Sequence, residues 1–183
     1  AGTYQDEEGG LTCKPCTLGG YCPIGSTIAK PCIEGSFGNV TGLTSQGGCH
    51  ACPAGHACSL GATAPTPCAA GSVAPSESSD ECSPCANGTF QGSEGEVACE
   101  PCTTGGFCPA GAVAPTPCAE GSYNGLAGRW MASQCTPCRE GHACGVGASQ
   151  ETACVAGTIA DSTGMAACIP CSAGSYQSGS GET

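Results

Sequence analysis

The stretch Cys85-Ala86-Asn87-Gly88-Thr89-Phe90, closed by Cys99-Glu100-Pro101-Cys102, decides how the rest of the chain is read. Three residues after a cysteine comes a glycine, then a hydroxyl residue, then an apolar one. The glycine suits a turn that needs φ > 0. The hydroxyl can bond a nearby backbone group. The apolar side chain, at strand spacing, can cover a disulfide. The same phrase recurs as Gly35-Ser36-Phe37, Gly71-Ser72-Val73, Gly121-Ser122-Tyr123 and Gly157-Thr158-Ile159, with Gly2-Thr3-Tyr4 and Gly174-Ser175-Tyr176 near the ends. Each opens a long loop enclosing 13 or 16 residues before the next Cys-x-x-Cys. A shorter Cys-x5-Cys loop is interspersed at 16–22, 52–58, 102–108 and 138–144. It is often followed by a Pro-rich segment, as in Ala64-Pro65-Thr66-Pro67 and Ala114-Pro115-Thr116-Pro117.

The phrase belongs to a larger period. The ten cysteines from Cys13 to Cys85 each recur 86 residues later as the ten from Cys99 to Cys171, without an insertion. Self-similarity at a fixed period marks a repeat architecture. Residues 1–86 and 87–172 read as two copies of one unit. Residues 173–183 open a third, since Ala173-Gly174-Ser175-Tyr176-Gln177 echoes Ala1-Gly2-Thr3-Tyr4-Gln5. Starting and stopping at one phase leads to the expectation of a polypeptide that continues in both directions, or of subunits joined head to tail.

Composition excludes a conventional core. Of 183 residues, 20 are Cys, 31 Gly and 14 Pro. Val, Ile, Leu and Phe together number 19, about a tenth of the chain, where roughly a fifth is the floor for an ordinary globular core. Cross-links must replace apolar burial, each worth roughly 2–4 kcal/mol in the loop-entropy account. Four basic residues stand against fifteen acidic ones, a net charge of −11. That balance argues against nucleic acid, whose phosphates need Lys and Arg, and against anionic membrane surfaces. No apolar run approaches the ~20 residues of a membrane span. No window repeats at a helical period, so no long helix is expected. The chain reads as mature and secreted, its leader absent.

Chemistry-bearing motifs reduce to structural readings. The Cys-x-x-Cys pairs 13/16, 49/52, 82/85, 99/102, 135/138 and 168/171 invite zinc, which wants four thiolate or imidazole ligands. The other cysteines fall at fixed loop spacings and only three His exist, so disulfides are the better account and no metal or cofactor is expected. No βαβ pattern flanks a pair, as a thioredoxin-type site requires. His56 and His142 share one phase of the repeat, in Gly-His-Ala-Cys. A turn residue copied with the repeat is favoured over a metal ligand or pH sensor. Asp6-Glu7-Glu8, Asp80-Glu81 and Glu94-Gly95-Glu96 lack the donor series of a calcium loop and read as solvated surface. No nucleophile with its base and no phosphate loop can be assembled, so no enzyme is expected. Asn39-Val40-Thr41 and Asn87-Gly88-Thr89 are N-glycosylation sequons. The 35 Ser and Thr, some beside Pro, leave O-linked sugar open as well.

The segment from Cys85 to Cys102 resembles the ephrin-receptor-like cysteine-rich repeat, a family similar in turn to tumour-necrosis-factor-receptor modules. The resemblance runs through every long loop. It implies small disulfide-rich modules in tandem: an extracellular, elongated rod with short two-stranded β pieces and little or no helix. In the simplest receptor module the cysteines flanking a long loop pair. This implies Cys32–Cys49, Cys68–Cys82, Cys85–Cys99, Cys118–Cys135 and Cys154–Cys168. It leaves the short loops to close as Cys16–Cys22, Cys52–Cys58, Cys102–Cys108 and Cys138–Cys144. A crossed scheme, such as Cys99–Cys108 with Cys102–Cys118, is the rival. In the first scheme Cys13 and Cys171 pair outside the chain.

Members of this family include receptor stalks and very long protist surface proteins. The expected function is therefore a glycosylated structural element of a fibre or surface filament, of the flagellar-hair (mastigoneme) kind. It would self-associate or continue along the chain, with modules touching only their neighbours. A ligand-binding receptor ectodomain is the rival class. One Trp, Trp130, and two arginines, Arg129 and Arg139, give that role few anchors.

Overall fold

The computed structural model describes residues 1–181; Glu182 and Thr183, at the end of the third-unit start, lie outside them. The described residues form ten antiparallel pairs of two-residue strands. In chain order, hairpins one to five pair Thr3–Tyr4 with Lys14–Pro15, Gly20–Tyr21 with Lys30–Pro31, Ser36–Phe37 with His50–Ala51, His56–Ala57 with Thr66–Pro67, and Ser72–Val73 with Ser83–Pro84. Hairpins six to ten pair Thr89–Phe90 with Glu100–Pro101, Gly106–Phe107 with Thr116–Pro117, Ser122–Tyr123 with Thr136–Pro137, His142–Ala143 with Thr152–Ala153, and Thr158–Ile159 with Ile169–Pro170. Two single 3-10 turns, Gln46–Gly48 and Ala132–Gln134, sit at one phase of the 86-residue period. Small disulfide-rich modules in tandem, with short two-stranded pieces and no α-helix among the described residues, are what the fold is.

Local chemistry explains why each pair is so short. Most second strands end in Pro directly before a cysteine. Pro has no N–H to extend a ladder and is tolerated only at strand ends and edges. At the other side the hydroxyl after six of the turn glycines donates to the carbonyl three residues back and so closes the turn. Ser36 bonds Ile33 at 2.6 Å, Ser72 bonds Ala69 at 2.8 Å and Thr89 bonds Ala86 at 2.7 Å. Ser122, Thr158 and Ser175 do the same to Ala119, Val155 and Ser172.

A two-residue hairpin cannot stand alone, so within a unit a hairpin borrows backbone partners from those that follow. The Gly2 N–H donates to the Cys22 carbonyl in hairpin two (2.7 Å). The Cys16 N–H donates to the Gly2 carbonyl (2.9 Å), and the Cys16 carbonyl accepts from the Gly42 N–H in the loop of hairpin three (2.9 Å). The same triple recurs as Gly19–Cys32–Gly61 and Gly55–Cys68–Gly95, then as Gly88–Cys102–Gly128 and Gly121–Cys138–Gly164. The expectation that modules touch only their neighbours is thereby corrected. A loop of a dozen residues has backbone amides to satisfy, and these find the cysteine carbonyl two hairpins earlier.

By compactness the chain divides into two units, Ala1–Pro84 with Gln91–Cys99, and Cys85–Phe90 with Glu100–Thr183. The division is not a single cut, because the loop 91–99 bonds within the first unit. The Gly95 N–H donates to the Cys68 carbonyl (2.8 Å), and the Gly71 N–H to the Gln91 carbonyl (2.7 Å).

Cystine is the core of each unit. The largest side chains exposed by less than 2% are all cysteines, among them Cys16, Cys22, Cys32 and Cys52 in the first unit and Cys102, Cys108, Cys118 and Cys138 in the second. Of the few aliphatic side chains, most lie outside. Leu11 is 99% and Ile24 89% exposed, while Val73 is buried.

Gly35 shows what holds the stack. Its φ is 75°, and a Cβ there would strike the Ser78 carbonyl. Ser78 is the one non-glycine at positive φ among the described residues, at 62°; its counterpart in the second copy is Gly164. Gly35→Ala is expected to cost about 2–5 kcal/mol, from left-handed strain together with overpacking. Ser78→Gly is expected to stabilise by about 1 kcal/mol. Equilibrium denaturation of the oxidised protein checks both signs. An alanine accepted at position 35 without loss would remove the close approach as a determinant.

Candidate functional site

The sulfurs are the most organised chemical feature of the chain. In the first unit they join Cys16–Cys22, Cys32–Cys49, Cys52–Cys58 and Cys68–Cys82, with Cα separations of 5.6–6.0 Å. In the second they join Cys102–Cys108, Cys118–Cys135, Cys138–Cys144 and Cys154–Cys168, at 5.6–6.2 Å. Cys85 and Cys99 are disulfide-bonded as well. With Cys102 bonded to Cys108 and Cys118 to Cys135, the crossed scheme does not occur. Cys13 is an exposed free thiol and Cys171 a half-buried one.

Each of these eight bridges ties the cysteine that closes one hairpin to the hairpin that follows. The two loop classes differ only in which strand they reach. Cys22 follows the first strand of hairpin two, whereas Cys49 precedes the second strand of hairpin three. Short bridges bury both sulfurs; long ones leave the outer cysteine, such as Cys49 or Cys135, half-buried. Within one Cys-x-x-Cys the two sulfurs point to opposite neighbours: Cys49 bonds back to Cys32 and Cys52 forward to Cys58. Such a pair cannot offer two thiolates to one zinc ion. Among the described residues no group of three or more His, Cys, Asp or Glu side chains converges as a metal site would require.

The remaining candidates are local. The His56 ring sits with Nδ1 3.2 Å from the Ala54 carbonyl, and His142 with Nδ1 3.2 Å from the Glu140 carbonyl. A carbonyl only accepts, so Nδ1 carries the proton in both, and each ring closes its own turn. His142 Nε2 is then left to accept from the Arg139 guanidinium at 3.1 Å. Lys14 pairs with Asp6 at 2.8 Å and with Glu7 at 3.7 Å, both exposed. The hydrogen bond from Lys14 holds the Asp6 carboxyl below its ordinary range. Glu151 pairs with Arg139 at 2.8 Å. Exposed pairs such as those of Lys14 contribute little to stability. Two open depressions of about 190 and 370 Å³ adjoin the first two hairpins and share Gly25, Ser26 and Thr27. Neither gathers a catalytic set.

Asn39 and Asn87 are both exposed. Asn39 makes no side-chain hydrogen bond, and its counterpart in the second copy is Gly125. The Asn87 Oδ1 accepts from the Ala110 N–H at 2.9 Å. The loop that carries Asn39 in the first copy carries Arg129 and Trp130 in the second. Trp130 is 40% exposed, and the Arg129 Nε is buried without a hydrogen-bond partner.

Sequence reasoning overlooked the amides that organise the long loops. Gln91, 7% exposed, donates from Nε2 to the Ala98 carbonyl (2.8 Å) and accepts at Oε1 from the Ser93 N–H (3.0 Å). Gln5 makes the corresponding bonds to Thr12 and Glu7. The available signal was that Gln5, Gln91 and Gln177 share one phase. Asn124 acts likewise, bonding the Gly106 carbonyl (2.8 Å) and the Leu126 N–H (3.0 Å), but Gly38 stands at its counterpart and no pattern announced it.

A family model described as tyrosine-protein kinase ephrin type A/B receptor-like matches residues 71–110. No curated protein sequence matches the chain. The matched segment is informative in itself. It holds the loop 85–99 and most of the loop 68–82, the place where two 13-residue loops follow one another without an inserted Cys-x5-Cys. The chain is similar to the ephrin-receptor-like module over these two long loops and the short Cys102–Cys108 loop that follows them. Among the described residues no helix is long and apolar enough to cross a membrane.

Replacing both members of one buried bridge, Cys52→Ala with Cys58→Ala, is expected to lower stability by roughly 2–4 kcal/mol. Denaturant unfolding under non-reducing conditions measures it. A loss below about 0.5 kcal/mol would mean that the backbone triples, not the bridges, hold successive hairpins together.

Proposed function

We propose that the chain is part of an extracellular structural protein, a disulfide-laddered and glycosylated array that serves a fibre or surface filament. One observation carries the reading: the 86-residue period is repeated down to the positions of the 3-10 turns, the loop classes and the bridges. A mechanical element gains from identical units, whose stabilities add along the array. The ephrin-receptor-like match and the density of disulfides support a location outside the reducing cytosol. The resemblance of the loops to long protist arrays and to tumour-necrosis-factor-receptor modules supports the filament and the receptor readings respectively. The array would be continued by further copies of the unit or by self-association, with Cys13 and Cys171 bonded to cysteines outside this segment.

The rival reading, a ligand-binding ectodomain, is favoured by the loop 125–134, where Arg129, Trp130 and Met131 replace the Leu43, Thr44 and Ser45 of the first copy. Arg and Trp are residue types enriched at binding hot spots.

Electron microscopy of the protein isolated from its source separates the two. Continuous filaments with a regular axial repeat are expected; a dispersed monomer that captures a soluble partner would establish the receptor instead.

The proposal also includes N-linked sugar on Asn39, which is exposed and unbonded, with Asn87 the second acceptor. Intact mass before and after peptide-N-glycosidase is expected to fall, and Asn39→Gln is expected to remove at least part of the shift. An unchanged mass would exclude the modification.

A further inference from the structure

We propose that Thr66, Ser83, Thr116 and Thr136 are O-glycosylation sites, one per hairpin at a single register position; the inference rests on the extracellular reading above.

These four are the residues of the chain that precede Pro as Ser or Thr. All four fall at the same place in the fold, the first residue of a second strand, in hairpins four, five, seven and eight. Each is exposed, and so is the Pro after it. Thr152 shares the register but precedes Ala153 and is not in the set.

The chain contains two kinds of hydroxyl. Six of those after the turn glycines are engaged, each donating to the carbonyl three residues back. The four hydroxyls before Pro make no hydrogen bond of any kind to the protein, so their exposure serves no internal contact. Pro holds the residue before it in extended backbone, the conformation the strand already imposes. Side chains alternate across a strand. The Pro67 Cβ faces Gly95 and the Pro117 Cβ faces Gly147, at 3.7 and 3.4 Å from where a glycine Cβ would stand. Thr66 and Thr116 are thereby turned to the opposite side.

The register also has room for a bulky group. Lys14, Lys30 and Glu100 occupy it in other hairpins, and all are exposed. A sugar there would serve a physical purpose. Among the described residues every sheet has two strands, so the second strand keeps an unpaired outer edge. Exposed edges invite pairing with other chains. Pro removes a donor from that edge, and a sugar on the preceding residue would shield what is left.

The chemistry needs a nucleotide-activated sugar and a transferase. The hydroxyl oxygen attacks the anomeric carbon and forms the glycosidic C–O bond. The bond from that carbon to the nucleoside diphosphate breaks, the diphosphate leaves with the electron pair, and the hydroxyl proton passes to a base of the transferase.

The test uses protein secreted by its native source and treated first with peptide-N-glycosidase. Peptides spanning the four residues are expected to carry additional mass in whole sugar residues, released by alkaline β-elimination. Peptides spanning Ser36, Ser72 and Ser122 are expected to carry none. The combined variant Thr66→Val, Ser83→Ala, Thr116→Val and Thr136→Val should lose the alkali-labile sugar while keeping the wild-type thermal midpoint, since no internal hydrogen bond is removed. Unmodified peptides at all four sites, or sugar that persists in the combined variant, would overturn the proposal. Filaments seen by microscopy with bare threonines would sink this inference alone. Glycosylated threonines on a dispersed monomer would sink the filament reading alone.

Discussion

A glycine without room for a Cβ sits beneath a backbone carbonyl two hairpins further on, and the rest of the structure depends on that approach. At Gly35 the carbonyl belongs to Ser78; at Gly121 it belongs to Gly164. The approach lets the closing cysteine donate its N–H to the turn glycine and accept from the distant loop, as Cys52 does with Gly35 and Ser78. That places a hairpin over its successors within a unit. The sulfur of the same cysteine then lies within bonding reach of the next hairpin. Backbone bonds set the spacing and the disulfide closes it.

An architecture held this way makes small demands on its side chains. The buried volume is filled by cystine, and the larger aliphatics such as Leu11, Ile24 and Leu60 stand in solvent. Main-chain bonds satisfy the long loops, helped by single amides such as Gln91. The tips between those bonds are free to differ. Asn39-Val40-Thr41 in one copy corresponds to Gly125-Leu126-Ala127 in the other, with no change in the flanking bridges. Function that needs variation therefore has its place at the loop tips and the exposed strand register, and function that needs uniformity in the cystine framework.

Acidic groups fit the same division. Asp6 and Glu7 find Lys14, and Glu151 finds Arg139. Glu94 and Glu96 carry no side-chain bond. Surplus negative charge on a surface with little apolar cover keeps such an array soluble and discourages unspecific association, without a part in holding the fold.

Much of the fold was legible because its determinants are local. Gly at the third place after Cys, a hydroxyl after it and Pro before the next Cys each act within four residues, through φ > 0, a bond to the carbonyl three back, and a missing N–H. The 86-residue period was legible because ten cysteines recur without an insertion. The absence of an ordinary core followed from composition. Tertiary structure alone decided the reach to the next hairpin but one, the interleaving that gives loop 91–99 to the first unit, and the burial of Asn124 and the Arg129 Nε. The first two depend on backbone atoms, which carry no residue identity, meeting across 20 residues and more, as Gly71 with Gln91 and Gly42 with Cys16 do. A pattern of side chains does not encode where a carbonyl will find its donor once the chain has folded back twice.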